Sequence, residues 1–152
     1  MSAELIGVAG LGLLGRGIAA CLLAHGFRVV GFTIGVDTHE RARNYIAKAI
    51  DELIARAGFP ESLATEWPER FLEASSLSDF GGCDFVIESV TEDVDIKQRV
   101  FDEIEAVVDV NTPIASNTSA IPITLLQSKR KYPARFLGMH WAEPAYSTRF
   151  LE

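Results

Sequence analysis

Glu4-Leu5-Ile6-Gly7-Val8-Ala9 runs directly into Gly10-Leu11-Gly12-Leu13-Leu14-Gly15, and then into Arg16-Gly17-Ile18-Ala19-Ala20-Cys21-Leu22-Leu23-Ala24-His25-Gly26. This order predicts an apolar strand, a glycine turn and a helix. Gly10 allows the tight turn, Gly12 lets a pyrophosphate approach the backbone, and Gly15 lets the helix pack closely on the strand. The amides that open the helix, at Leu13, Leu14 and Gly15, face the phosphates, where the helix dipole favours negative charge. A G-x-G-x-x-G run by itself is a weak signal. Here it sits between a strand and a helix and is followed by a second strand, Phe27-Arg28-Val29-Val30-Gly31-Phe32, the context in which the motif reads as a dinucleotide site.

The acidic residue that ordinarily ends the second strand and binds the adenosine ribose diol is replaced by Thr33. A hydroxyl lacks the bidentate, charge-assisted geometry of a carboxylate, so cofactor affinity is expected to be weakened. Asp37 could substitute, but it reads better as the N-cap of a helix running to Ala57. With no acid to repel a 2′-phosphate, and with Arg41 and Arg43 close by in the sequence, NADP stays open beside NAD, which is the expected cofactor.

Composition bounds the class. The chain has 152 residues, 48% of them hydrophobic, and a net charge of -7. That length suits one core of ordinary size, the hydrophobic content excludes extended disorder, and the acidic balance argues against a nucleic-acid surface. Lys129-Arg130-Lys131 is read as a solvated turn. No apolar run approaches the ~20 residues of a membrane span, so neither nucleic acid nor membrane is an expected partner and a cytoplasmic location is the default. Cys21 and Cys83 lack metal or redox spacing and are read as buried free thiols. His25, before Gly26, is expected to close the first helix.

Downstream, strands and helices alternate. Gly58 to Trp67 looks like a loop or a short helical excursion. Phe71 to Ala74, Asp84 to Ser89, Pro113 to Ser116 and Arg135 to His140 are candidate strands, and Asp93 to Val108 has the apolar spacing of an amphipathic helix. Such alternation implies an α/β, Rossmann-type doubly wound, mainly parallel sheet with helices on both faces, and ligands of such sheets bind beyond the carboxyl ends of the strands. Three polar clusters fall there: Glu88-Ser89-Val90-Thr91-Glu92, Ser116-Asn117-Thr118-Ser119 and His140-Trp141-Ala142-Glu143-Pro144.

With the glycine turn, Ile87-Glu88-Ser89-Val90-Thr91-Glu92, Ala115-Ser116-Asn117-Thr118-Ser119 and Gly138-Met139-His140 resemble, in order and spacing, the NAD-binding domain of the L-3-hydroxyacyl-CoA dehydrogenase family. The resemblance implies that His140 is the catalytic histidine and that Glu152, twelve residues on, is the carboxylate that orients it. It implies that Ser119 hydrogen-bonds the reacting oxygen, that Asn117 is the asparagine of the same motif, and that Glu92 and Lys97 line the nicotinamide-ribose side. It also implies a helical second domain, for which this chain has no counterpart, that completes the substrate site and makes a homodimer.

The residue types suit that chemistry. An imidazole with pKa near ~6.5 can take the hydroxyl proton of a secondary alcohol as hydride leaves carbon, a carboxylate on its other nitrogen fixes the tautomer, and a serine can donate to the oxygen. The expected function is that of the cofactor domain of an oxidoreductase acting on a 3-hydroxyacyl-CoA or a related 3-hydroxy acid. The alternative is a stand-alone nucleotide-binding or regulatory module without turnover. Glu143, where the family usually has asparagine, and the acidic run of Glu52, Glu61, Glu66 and Glu69 put CoA itself in question as part of the substrate.

Overall fold

A computed structural model describes residues 4–35 and 38–152. Six strands are joined by helices in the order β1 (Leu5–Ala9), α1 (Leu13–Ala24), β2 (Arg28–Phe32), α2 (Thr38–Ala57), α3 (Leu63–Arg70), β3 (Phe71–Glu73), β4 (Phe85–Glu88), α4 (Val94–Glu105), β5 (Ile114–Ser116), α5 (Ile123–Gln127) and β6 (Phe136–Gly138). Every neighbouring pair is parallel. The sheet order, β3-β2-β1-β4-β5-β6, reverses direction between β1 and β4, the place where a doubly wound sheet opens a crevice for ligand.

The strands are short and apolar because both faces are covered. On one face Ile18, Leu23, Ile46, Ile50, Trp67 and Phe71 form a core under α1, α2 and α3. On the other, Phe80, Val86, Phe101, Ile104 and Phe136 form a second core under α4 and α5. Along β1 the pleat sends Ile6 and Val8 into the first core and Ala9 into the second. No described helix is long and apolar enough to cross a membrane.

Local signals account for the ends of α1 and α4. His25 closes α1 as expected: its Nδ1 lies 2.8 Å from the carbonyl of Cys21, and Gly26 follows at φ +89°. Asp93 caps α4 by accepting from the Ile96 amide at 2.9 Å. The excursion after Gly58 is the helix α3, which carries Pro68 within it. Asp37, the expected cap of α2, lies outside the described residues. Of the two cysteines, Cys83 is buried and its thiol is pushed up to about 12 by burial, while Cys21 is half-buried.

The basic run is solvated at Lys129 and Lys131, as expected, but not at Arg130. Arg130 is 8% exposed. Its guanidinium reaches Asp102 at 2.8 Å and Glu105 at 3.2 Å, and Arg135 meets the same Glu105 at 3.1 Å. The two arginines therefore clamp the end of α4 to the segment between α5 and β6, a long-range pairing that composition alone does not reveal.

Candidate active site and cofactor cleft

The glycine turn lies at the β1–β4 reversal, and each glycine meets different surroundings. Gly10 has φ +101°, and a Cβ there would sit 2.6 Å from the carbonyl oxygen of Ser89. A Cβ on Gly15 would fall 1.7 Å from the oxygen of Gly10, so only glycine lets α1 start this close to the turn. A Cβ on Gly12 would have nothing within 4 Å. Gly12 is the N-cap of α1, with no side-chain cap and no acidic residue in the first turn, and the first helical bond runs from the Arg16 amide to the Gly12 carbonyl. The amides of Leu13, Leu14 and Gly15 thus precede the helical ladder, as donors for an anion at the mouth of the helix.

Beside this turn a cleft of about 290 Å³ is walled by Gly10, Gly12, Phe32, Thr33, Ser89 and Val100, among others. Thr33 stands at the end of β2 on one wall. The walls are largely apolar and, among the described residues, include no basic side chain.

A second cleft of about 370 Å³ opens at the ends of β5 and β6, and it brings together His140, Glu152, Ser119 and Gly138. His140 Nδ1 is 3.7 Å from Glu152 Oε2, an ion-pair separation longer than a hydrogen bond. The backbone fixes the pair more firmly than the side chains do. The His140 amide donates to the Glu152 carbonyl at 2.8 Å, the Glu152 amide donates back at 3.0 Å, and Trp141 and Leu151 form an antiparallel bridge. This two-residue ladder ties Glu152 to His140 through the main chain. Ser119 is exposed on the loop after β5.

Glu92 shapes that loop. Its Oε1 accepts from Thr118 Oγ1 at 2.5 Å and from the amides of Ser119 and Ala120 at 3.1 and 3.2 Å. Partial burial by itself raises this carboxyl, but the hydrogen bonds from Thr118 and Ala120 and the charge of Lys97 outweigh it and hold Glu92 below the ordinary carboxylate range.

Lys97 does not line either cleft. It is fully buried, and its ammonium is directed to Glu88 Oε1 at 2.7 Å, Glu92 Oε2 at 3.3 Å and the Val90 carbonyl at 3.3 Å. Glu88, also fully buried, accepts in addition from Ser116 Oγ at 2.6 Å and the Val90 amide at 2.7 Å. Asn117 is likewise 8% exposed. Its Nδ2 donates to Ser89 Oγ at 3.0 Å and its Oδ1 accepts from the Trp141 amide at 2.8 Å, so it joins the ends of β4, β5 and β6 beside His140.

Two features escaped the sequence reading. Glu88 and Ser116 belong to the buried network around Lys97, and an acid inside an apolar strand followed nine residues later by a lysine on an amphipathic helix was the available sign. The loop after His140 is also pinned to the cofactor helices. Ala145 fits the notch left by Gly17, where a Cβ would come within 3.2 Å of the alanine methyl. Tyr45 donates to Glu143 at 3.1 Å and Tyr146 donates to Glu52 at 2.7 Å. Burial and the Glu143 carboxylate raise the Tyr45 phenol, and the hydrogen bond to Glu52 and burial push Tyr146 up to about 12, so both remain donors at neutral pH.

Known proteins share this fold. Residues 5–152 match the family described as 3-hydroxyacyl-CoA dehydrogenase, NAD binding domain. The 5-formyl-3-hydroxy-2-methylpyridine 4-carboxylate 5-dehydrogenase of Mesorhizobium japonicum is 36% identical over 97% of this chain and 47% of its own length. A probable 3-hydroxybutyryl-CoA dehydrogenase of Deinococcus radiodurans is 33% identical over 96% of the chain and 52% of its own. The crystal structure of the (S)-3-hydroxybutyryl-CoA dehydrogenase of Ralstonia eutropha superposes with a TM-score of 0.91 at 31% identity, covering 99% of this chain and 53% of that one. The chain spans about half the length of these relatives. With its glycine turn, its sheet order and its three strand-end clusters, the chain belongs to the 3-hydroxyacyl-CoA dehydrogenase NAD-binding domain family.

Proposed function

We propose that this chain binds NAD along the carboxyl edge of its sheet and is the cofactor half of a protein that oxidises the secondary alcohol of a 3-hydroxyacyl-CoA or a related 3-hydroxy acid. The observation that carries this reading is the convergence of His140, Glu152 and Ser119 on one cleft at the strand ends, on the same carboxyl edge of the sheet as a glycine turn whose central residue faces open space. NAD, when bound, supplies the hydride acceptor.

The amides of Leu13, Leu14 and Gly15 hold the pyrophosphate, with Gly10 and Gly15 permitting the turn and Gly12 the approach. Thr33 donates to the adenosine ribose. Glu92 organises the Ser119 loop on the nicotinamide side, and Lys97 acts through Glu92, as a positioning residue. Asn117 holds the Trp141 backbone and so fixes where His140 enters the cleft.

His140 takes the substrate hydroxyl proton at Nε2, because Nδ1 faces Glu152. As the ring becomes cationic, the Glu152 carboxylate stabilises it and the 3.7 Å separation closes. Ser119 donates to the same oxygen and orients it against the imidazole. The rest of the substrate site, and the homodimer interface, belong to a further domain.

The substrate class is wider than acyl-CoA thioesters in this reading. One relative named above is a dehydrogenase of a pyridine carboxylate, and Glu143 adds a negative charge three residues from His140. Calorimetric titration of the chain with NADH tests the cofactor half: saturable one-to-one binding is expected, and failure of both NADH and NADPH to bind would refute it.

A further inference from the structure

Arg43, which the sequence offered as a partner for a 2′-phosphate, is already engaged. Its Nε donates to Glu73 Oε1, a second guanidinium nitrogen reaches the Phe71 carbonyl at 3.5 Å, and the cation lies 5.2 Å from the centre of the Phe71 ring. The pair is half-exposed, at 38% and 37% for the two side chains, so solvent does not forbid its opening.

Its position is what matters. Glu73 stands at the carboxyl end of β3, directly opposite Gly31 of β2, and the Ala74 amide donates to the Gly31 carbonyl at 2.9 Å. Thr33 lies two residues beyond Gly31. With ~3.3 Å of rise per residue and strands ~4.8 Å apart, the Glu73 and Thr33 backbones are about 8 Å from one another. An arginine anchored at Glu73 is therefore one side-chain rotation from the place where a 2′-phosphate would stand, while Thr33 itself offers no charge to repel that phosphate.

We infer that the Arg43–Glu73 ion pair makes this cofactor site selective for NAD over NADP, by holding Arg43 off the 2′-phosphate at the end of β2. The inference rests on the cofactor reading proposed above. It assigns to an ion pair on the neighbouring strand the discrimination that a carboxylate at position 33 would otherwise supply. A free guanidinium would grip a phosphate with charge-assisted hydrogen bonds, but here Nε and one terminal nitrogen are engaged by Glu73 and the Phe71 carbonyl.

The test measures NADH and NADPH dissociation constants for the wild-type chain, Glu73→Gln, and the double variant Glu73→Gln with Arg43→Gln, with thermal unfolding to verify that each is folded. Glu73→Gln is expected to tighten NADPH by up to about fivefold, the most that a half-exposed ion pair withholds from a competing phosphate, and to leave NADH within about twofold. The double variant is expected to lose that gain. An unchanged NADPH affinity in Glu73→Gln overturns the inference. So does a gain that persists in the double variant, because the carboxylate would then act by direct repulsion and not by holding Arg43. If wild-type chain binds neither cofactor, the cofactor reading fails and the inference falls with it, an outcome distinct from the other two.

Discussion

Replacing Gly12 with alanine separates the ligand's requirements from the fold's. Gly12 has φ -66° and ψ -164°, an extended conformation open to any L-residue, and no atom lies within 4 Å of the place where a Cβ would stand. Alanine lowers the entropy of the unfolded chain, a gain of ~0.4–1 kcal/mol, but is a poorer N-cap than glycine by a similar amount. These nearly cancel, so unfolding free energy is expected to move by less than about 1 kcal/mol. The methyl group would, however, occupy the open space at the mouth of the helix, where the pyrophosphate needs close backbone approach. NADH affinity is expected to fall at least tenfold, about 1.4 kcal/mol. Gly15→Ala is the contrasting variant, in which the fold itself is expected to suffer, because its Cβ would overlap the Gly10 oxygen at 1.7 Å. Backbone cannot rotate aside as a side chain can, and a loss of about 3 kcal/mol or more of stability is expected. Thermal unfolding and NADH calorimetry on both variants decide the matter. A Gly12→Ala chain that binds NADH like wild type would refute the assignment of this turn as the pyrophosphate site.

Lys97→Met is expected to destabilise the chain by roughly 3–5 kcal/mol, since it strands a buried Glu88 charge, and the double change with Glu88→Leu should recover much of that loss in denaturant unfolding. The depressed Glu92 carboxyl stabilises the fold above the unfolded-state pKa of about 4.3, and that contribution disappears as pH falls through the lower folded value. The stability difference between wild type and Glu92→Gln, measured by urea unfolding across pH, should therefore be full at neutral pH and vanish in acid. Thr33→Asp should tighten NADH and weaken NADPH in fluorescence titration, because a carboxylate binds the ribose diol and repels a 2′-phosphate.

The first half of the site was legible because its signals are local. Gly10, Gly12 and Gly15 answer to a turn and a helix start within six residues, and the strands betray themselves by apolar runs next to those turns. His140 and Ser119 were reachable through motif order. What the sequence concealed depends on pairings across the fold. Lys97 looked like a ligand-facing cation, but the sheet brings Glu88 beneath it and buries both. Arg43 looked available to a phosphate until β3 placed Glu73 beside it, and Arg130 looked solvated until α4 supplied two carboxylates. Glu152 gave no sign of its ladder with His140, because a two-residue antiparallel pairing leaves no periodic pattern to read.

The most direct test of the central claim is the rate of acetoacetyl-CoA reduction by NADH in the full-length protein that carries this chain, wild type against His140→Gln, with NADH affinity measured in parallel. The account predicts that turnover falls by about 10²–10⁴ with NADH affinity unchanged, since His140 acts on the substrate oxygen and not on the cofactor. A His140→Gln protein that turns over at the wild-type rate would contradict it.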